Sequence, residues 1–339
     1  MKAKRFLPVR VLPMVALLLN ACADGGGGKV VAVPGAWTFS GFREDQDLSG
    51  VAAWDEKHVL VVTDETVTVQ GGIMDRAART VTAGVEVPLP VPVTGEKVEA
   101  DAEGVAVLRE DGAYYVTGSH GLGKKKADFQ PSRCQVYRIP VDAATGEPRA
   151  QGIAVASLLP WVEKHPDLAA HVKQPLQLNG FNIEGLAAQA GRLWFGLRAP
   201  NLNGVAFVIE ADPAGLFAGK TEGMQLHRIP VGQGVGIREI AALRDGFLVL
   251  TGNASAEATK KQPTTMAPGE DQKFVLWFWR PAGPESYSQR IGELPEPSAK
   301  AEGLLILGEE AGQLDVLVLF DSAAGGGPKQ YRVTLPKGR

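Results

Sequence analysis

Ile183-Glu184-Gly185-Leu186-Ala187, followed past a glycine at Gly191 by Leu193-Trp194-Phe195-Gly196-Leu197, is the phrase on which the reading of this chain turns. Two short apolar runs with a turn-forming residue between them give the pattern of a β-hairpin. The phrase recurs as Leu48-Ser49-Gly50-Val51-Ala52, Ala102-Glu103-Gly104-Val105-Ala106, Ile237-Arg238-Glu239-Ile240-Ala241 and Ala301-Glu302-Gly303-Leu304-Leu305. Each copy leads through a turn, such as Asp111-Gly112 or Asp245-Gly246, into a second apolar run: residues 59–63, 114–118, 247–251 and 314–320. Third and fourth runs follow in most units, among them residues 135–139, 205–209, 225–229 and 274–278. A period of about 50 to 60 residues with four strands in each unit is the mark of propeller blades.

The expected fold is therefore all-β, a β-propeller of about five four-stranded blades. A two-sheet sandwich is the competing all-β arrangement. The last unit shows only three strands, whereas residues 30–42 supply a strand before the first repeat. Pairing that N-terminal strand with the last blade would close the ring and hide the edges that open sheets expose. The longer second interval holds residues 158–172, patterned as a short amphipathic helix, and the fourth unit holds a polar loop at 254–271.

Ahead of the repeats, Lys2, Lys4, Arg5 and Arg10 precede an apolar run, residues 11–19, and then Leu19-Asn20-Ala21-Cys22. A basic flank, a short apolar stretch and small residues before a cut site describe a secretory signal. The run falls short of the ~20 apolar residues that span a bilayer. The tetrad resembles the lipobox of bacterial lipoproteins, whose cysteine is acylated. The implied organisation is a signal peptide over 1–21, a lipidated Cys22 and glycine-rich tether over 22–29, and one propeller domain over 30–337. The resemblance implies an exported protein held to a membrane by acyl chains, with Ala23 fitting an outer membrane facing the periplasm, or the cell surface.

Losing residues 1–21 removes four basic and no acidic side chains from the chain's 35 and 38, leaving a formal charge of −7. That balance argues against a nucleic-acid partner, which requires a basic face. With Cys22 acylated, Cys134 has no cysteine to pair with, so neither a disulfide nor a cysteine-based metal site is expected. A monomer is expected.

Three phrases carry a family resemblance: Glu103-Gly104-Val105-Ala106 with Tyr115-Val116-Thr117-Gly118-Ser119-His120; Asn182-Ile183-Glu184-Gly185-Leu186-Ala187 with Gly196-Leu197-Arg198-Ala199-Pro200; and Gly236-Ile237-Arg238-Glu239-Ile240. In this order they resemble DUF3616, a bacterial family of unknown function, over nearly the whole mature chain. The Glu-Gly-Leu/Val start is also similar, over a shorter stretch, to phytase-like and esterase-like propellers. The resemblance implies a fold more than an activity. The first unit departs from it, with Ser49 where others carry an acid.

In a blade the second strand runs back antiparallel to the first, so first-strand heads and second-strand ends meet at one mouth of the channel. That mouth should collect Glu103, Glu184, Arg238 and Glu302 from strand heads and Asp64, His120, Arg198 and Asp321 from strand ends. Three readings follow. The ring can be structural, with carboxylates capping backbone N–H groups and pairing with Arg198 and Arg238. It can be the centre of a metal-dependent phosphoesterase-like hydrolase. Glu103, Glu184, Glu302, Asp64 and Asp321 would then ligate calcium or magnesium, and Arg198 and Arg238 would hold a small anionic ligand. Glu184, His120, Arg198 and Arg238 are the catalytic candidates on that reading. Alternatively, the propeller is a non-catalytic binding or scaffold module for an envelope protein. No Gly-x-Ser-x-Gly elbow is present.

Overall fold

Each repeated phrase forms the innermost strand of a blade. A computed structural model of the protein describes residues 28–43, 47–93, 98–123, 127–256, 273–281, 286–296 and 300–336. The chain enters through two short strands, β1 (Lys29–Ala32) and β2 (Thr38–Ser40). Blade 1 contains β3 (Leu48–Ala53), β4 (His58–Thr63), β5 (Thr68–Asp75) and β6 (Thr80–Pro88). Blade 2 contains β7 (Ala102–Leu108), β8 (Ala113–Gly118), β9 (Val136–Pro140) and β10 (Ala154–Ala156). Blade 3 contains β11 (Asn182–Gln189), β12 (Arg192–Ala199), β13 (Val205–Ala211) and β14 (Gln225–Pro230). Blade 4 contains β15 (Val235–Leu243), β16 (Gly246–Asn253), β17 (Val275–Arg280) and β18 (Tyr287–Glu293). Blade 5 contributes β19 (Lys300–Glu310), β20 (Gln313–Asp321) and β21 (Lys329–Thr334).

The N-terminal segment does close the ring, in two pieces and not one. β1 pairs antiparallel with β21 and becomes the outer strand of blade 5. The chain then breaks at Pro34-Gly35, where Gly35 has φ +100°, and β2 adds in parallel to β6 as a fifth strand of blade 1. A proline followed by a residue in the left-handed region cannot continue a ladder. One segment thus staples the last blade to the first.

The core lies between sheets. Five apolar clusters each join two neighbouring blades, including Leu317 and Leu319 against Val59 and Val61 where blade 5 meets blade 1. Between blades 3 and 4, Trp194 packs on Phe247 at 4.9 Å and on Trp279 at 5.8 Å between ring centroids. Near the axis the blades approach so closely that the repeat needs its glycine. A Cβ on Gly104 would lie 2.6 Å from the Leu186 backbone nitrogen, and one on Gly185 2.8 Å from that of Ile240. The Gly of the blade 2 and blade 3 phrases is therefore a contact point between inner strands.

Residues 158–172 do not form one helix. Helix α1 (Leu159–Val162) makes a single turn and a 3-10 turn follows at Ala169–His171. Pro166 interrupts the helical pattern between them. The apolar face still packs: Leu158, Val162, Leu168 and Val172 are buried in the cluster between blades 2 and 3. A second short helix, α2 (Pro213–Phe217), links β13 to β14. Cys134 is buried and unpaired, and burial pushes its thiol up to about 12, so it is inert.

Candidate functional site

At the mouth end of every inner strand the pairing register slips. The slips fall between Leu48 and Gly50, Ala102 and Gly104, Ile183 and Gly185, Ile237 and Glu239, and Ala301 and Leu304. The residues left out of pairing are Ser49, Glu103, Glu184, Arg238, and Glu302 with Gly303. A β-bulge frees one residue and re-aims its side chain. Repeated around a ring, it turns five strand heads into a circle of five inward side chains, ordered serine, glutamate, glutamate, arginine, glutamate. In blade 3 a further slip between the pairs Asn182–Ala199 and Ile183–Leu197 leaves Arg198 unpaired as well.

Blade 4 departs from the repeat at two adjacent positions. Arg238 stands where the acid would be and Glu239 where the glycine would be. Arg238 Nη2 reaches Glu184 Oε2 at 3.3 Å on one side and makes a direct ion pair with Glu302 on the other. Arg198 donates from Nη1 to Glu184 Oε1 at 3.0 Å, from Nε to the Asn253 carbonyl and from Nη2 to the Ser255 carbonyl. Burial draws the Arg238 guanidinium down, but Glu184 and Glu302 outweigh it and raise the group above its ordinary value. Arg198 is lowered by burial and then by Arg238, against the pull of Glu184. Burial pushes Glu302 up to about 8 against Arg238, with Glu184 and Asp321 adding to the rise; the direct guanidinium contact and the upward shift of Arg238 favour the ionised pair. Glu239 is buried and accepts from the backbone N–H groups of Leu186 at 3.0 Å and Ile240 at 2.9 Å, which ties blade 3 to blade 4.

The other side of the ring is acidic. Asp64 follows β4, Asp101 precedes β7, and Glu103 is the bulged residue of blade 2. Each offers a carboxylate oxygen lying within 4.8 Å of the other two. Asp101 is held in the left-handed region, φ +49°, and makes a direct ion pair through Oδ1 with Arg133. Its Oδ2 is buried without a hydrogen-bond partner. Arg133 is itself fixed by donating to the Leu122 carbonyl at 2.9 Å. Among the described residues no lysine or arginine lies within ion-pair distance of Glu103. Burial, then the charges of Glu184, Asp101, Asp64 and Glu302, push the Glu103 carboxyl well above the usual carboxylate range. A carboxylate crowded by others in this way also attracts a hard divalent cation.

The expected ligand set therefore divides. Asp64 and Glu103 come together, and with them Asp101, which was not among the expected ligands. Glu184 and Glu302 are bound to arginines. Asp321 is instead 3.5 Å from Lys300 Nζ and accepts from Ser322 Oγ. The arginines are likewise committed, to carboxylates and carbonyls, so the open anion-holding fork expected of Arg198 and Arg238 is not present.

His120 is a further correction to the catalytic candidates. It is buried, its Nδ1–H donates to the Gly118 carbonyl at 2.9 Å, and its Nε2 accepts from the Leu158 N–H at 3.4 Å. Burial holds the imidazole down at about 4, so it is a neutral tie between blade 2 and the inserted segment. Arg133 had no sequence signal, because it precedes a third strand. Asp101 had one, an acid two residues ahead of the bulged glutamate. Cys22 lies outside the described residues.

Comparison with known families decides the kinship. The family described as "protein of unknown function (DUF3616)" matches residues 47–149 and 143–333. The chain belongs to the DUF3616 family. The two matched stretches of this DUF3616 protein cover all five inner strands and the whole bulged ring. No curated protein sequence matches the chain. Among solved structures, a GH43 β-1,3-galactosidase is similar with TM-score 0.45 at 8% identity, over 90% of this chain and 60% of that one. A luciferin-regenerating enzyme is similar with TM-score 0.39 at 12% identity, over 92% and 96%. The calcium structure of a Trichoderma reesei carbohydrate-active enzyme of family AA12 is similar with TM-score 0.39 at 9% identity, over 92% and 96%.

Proposed function

We propose that this DUF3616 protein is an exported, Cys22-anchored propeller that binds one divalent cation, calcium or magnesium, between Asp64, Asp101 and Glu103. The cation engages an oxygen-bearing anionic ligand at the mouth of the channel. The observation that carries the reading is the convergence of three carboxylates from two blades, with Asp101 paired to Arg133. All three donors are hard oxygens, and Asp101 is locked in place by Arg133 before any ion arrives, which limits the ordering cost of binding.

A cation held this way can polarise a phosphoryl oxygen or activate a bound water. Phosphoester hydrolysis is thus the activity to assay first. Because the arginines are committed elsewhere, the cation alone would supply charge to such a substrate. A non-catalytic envelope-binding role would use the same cation without turnover.

The test is elemental analysis and thermal unfolding of the purified protein with and without calcium or magnesium. A bound equivalent and a raised Tm that Glu103→Gln abolishes are expected; no metal and no shift reject the cation. Labelled fatty acid retained by the wild type and lost in Cys22→Ser checks the anchor separately.

A further inference from the structure

The five bulged positions are equivalent by the repeat, so their occupants can be compared directly. Glu184, Arg238 and Glu302 occupy three successive positions around the ring. The arginine in the middle bonds the carboxylates on both sides through the same nitrogen. A single positive group bridging two buried carboxylates is the electrostatic arrangement that a bridging divalent cation would make. Arg238 is deeply buried and its Nε has no hydrogen-bond partner. That nitrogen contributes no pairing; what the side chain supplies is charge at Nη2. Next to Arg238, Glu239 ties the head of β15 to blade 3 by accepting from the Leu186 N–H.

We propose that Glu184 and Glu302 flank a second cation position that Arg238 fills permanently. Arg238 is a positioning and specificity residue. It withdraws two carboxylates of the ring from metal chemistry and confines an exchangeable ion to the corner formed by blades 1 and 2. The idea extends the cation reading above, but its test is a difference in bound ions and does not depend on how many the wild type holds.

The experiment counts calcium ions bound to the purified full chain by equilibrium dialysis, in the wild type, Arg238→Gln, Arg238→Lys and the charge-balanced Arg238→Gln/Glu302→Gln. Arg238→Gln should bind one equivalent more than the wild type and gain more Tm from millimolar calcium than the wild type does. Arg238→Lys, which keeps the charge, should gain none, and so should the double variant. If Arg238→Gln gains no ion, or no Tm from calcium beyond that of the wild type, the guanidinium does not stand in for a cation and the proposal is overturned. A gain in the double variant overturns it equally. A wild type that binds no ion while Arg238→Gln binds one would reject the blade 1–2 site and leave this one standing.

Discussion

The two halves of the channel mouth are built from the same bulged strand heads but balance their charges differently. On the side of blades 3 to 5, Glu184 and Glu302 are bound by Arg198 and Arg238, whose other contacts are protein groups. On the side of blades 1 and 2, Asp64, Asp101 and Glu103 crowd together, with Arg133 paired to Asp101. The first half is complete within the fold. In the second, Glu103 lies among carboxylates with no lysine or arginine among the described residues in ion-pair distance, which is where a ligand can contribute most free energy. Burial alone does not separate them, since Glu103 and Glu184 are both buried; the counterions do.

The largest effect should come from breaking the complete half. Arg198→Ala leaves Glu184 with one fewer partner and two backbone carbonyls undonated. Removing one member of a buried pair costs about 3–5 kcal/mol, read as a lower urea midpoint with an unchanged slope. Next is Gly104→Ala, whose Cβ would meet the Leu186 nitrogen at 2.6 Å. Overpacking of this kind costs about 1–3 kcal/mol, and calcium should not restore it.

Glu103→Gln should act in the opposite direction and stabilise the metal-free protein. The Glu103 carboxyl is raised in the folded state, so the favourable protonated form is fully populated below the ordinary value of 4.5, and stability is lost as pH rises from there toward the folded value. The Tm advantage of the glutamine variant should therefore be absent at pH 4 and grow toward neutrality. Added calcium should erase it by stabilising only the wild type.

The smallest effect concerns His120, which lies outside both halves. Its imidazole is lowered from 6.5 to about 4. Its contribution is therefore present above 6.5 and lost as pH falls toward 4. His120→Gln should flatten the acid limb of the stability curve over that window, with calcium binding unchanged.

Much of this was legible in the residues. The recurrence of Glu-Gly-Leu/Val fixed the inner strands, and antiparallel pairing brought their heads and the second-strand ends to one mouth. The bulges were not legible, because apolar alternation specifies which face a residue takes and not where a ladder slips by one. Without them, Glu184 and Glu302 read as ligands equivalent to Glu103. Whether an acid binds a neighbouring arginine or waits for a cation depends on side-chain reach across blades, as with Arg133 and Asp101. The single strand expected over 30–42 failed at Pro34-Gly35, and the continuous helix over 158–172 failed at Pro166; both prolines were visible, and their breaking effect outweighed the apolar pattern.

The central claim is that the same ring has one half open to a cation and one half closed to it. Crystals of the wild type grown with manganese, measured at a wavelength where the ion scatters anomalously, test it most directly. A single peak among Asp64, Asp101 and Glu103, with none between Glu184 and Glu302, is the result expected. A peak between Glu184 and Glu302, or no peak at the acidic corner, would contradict it.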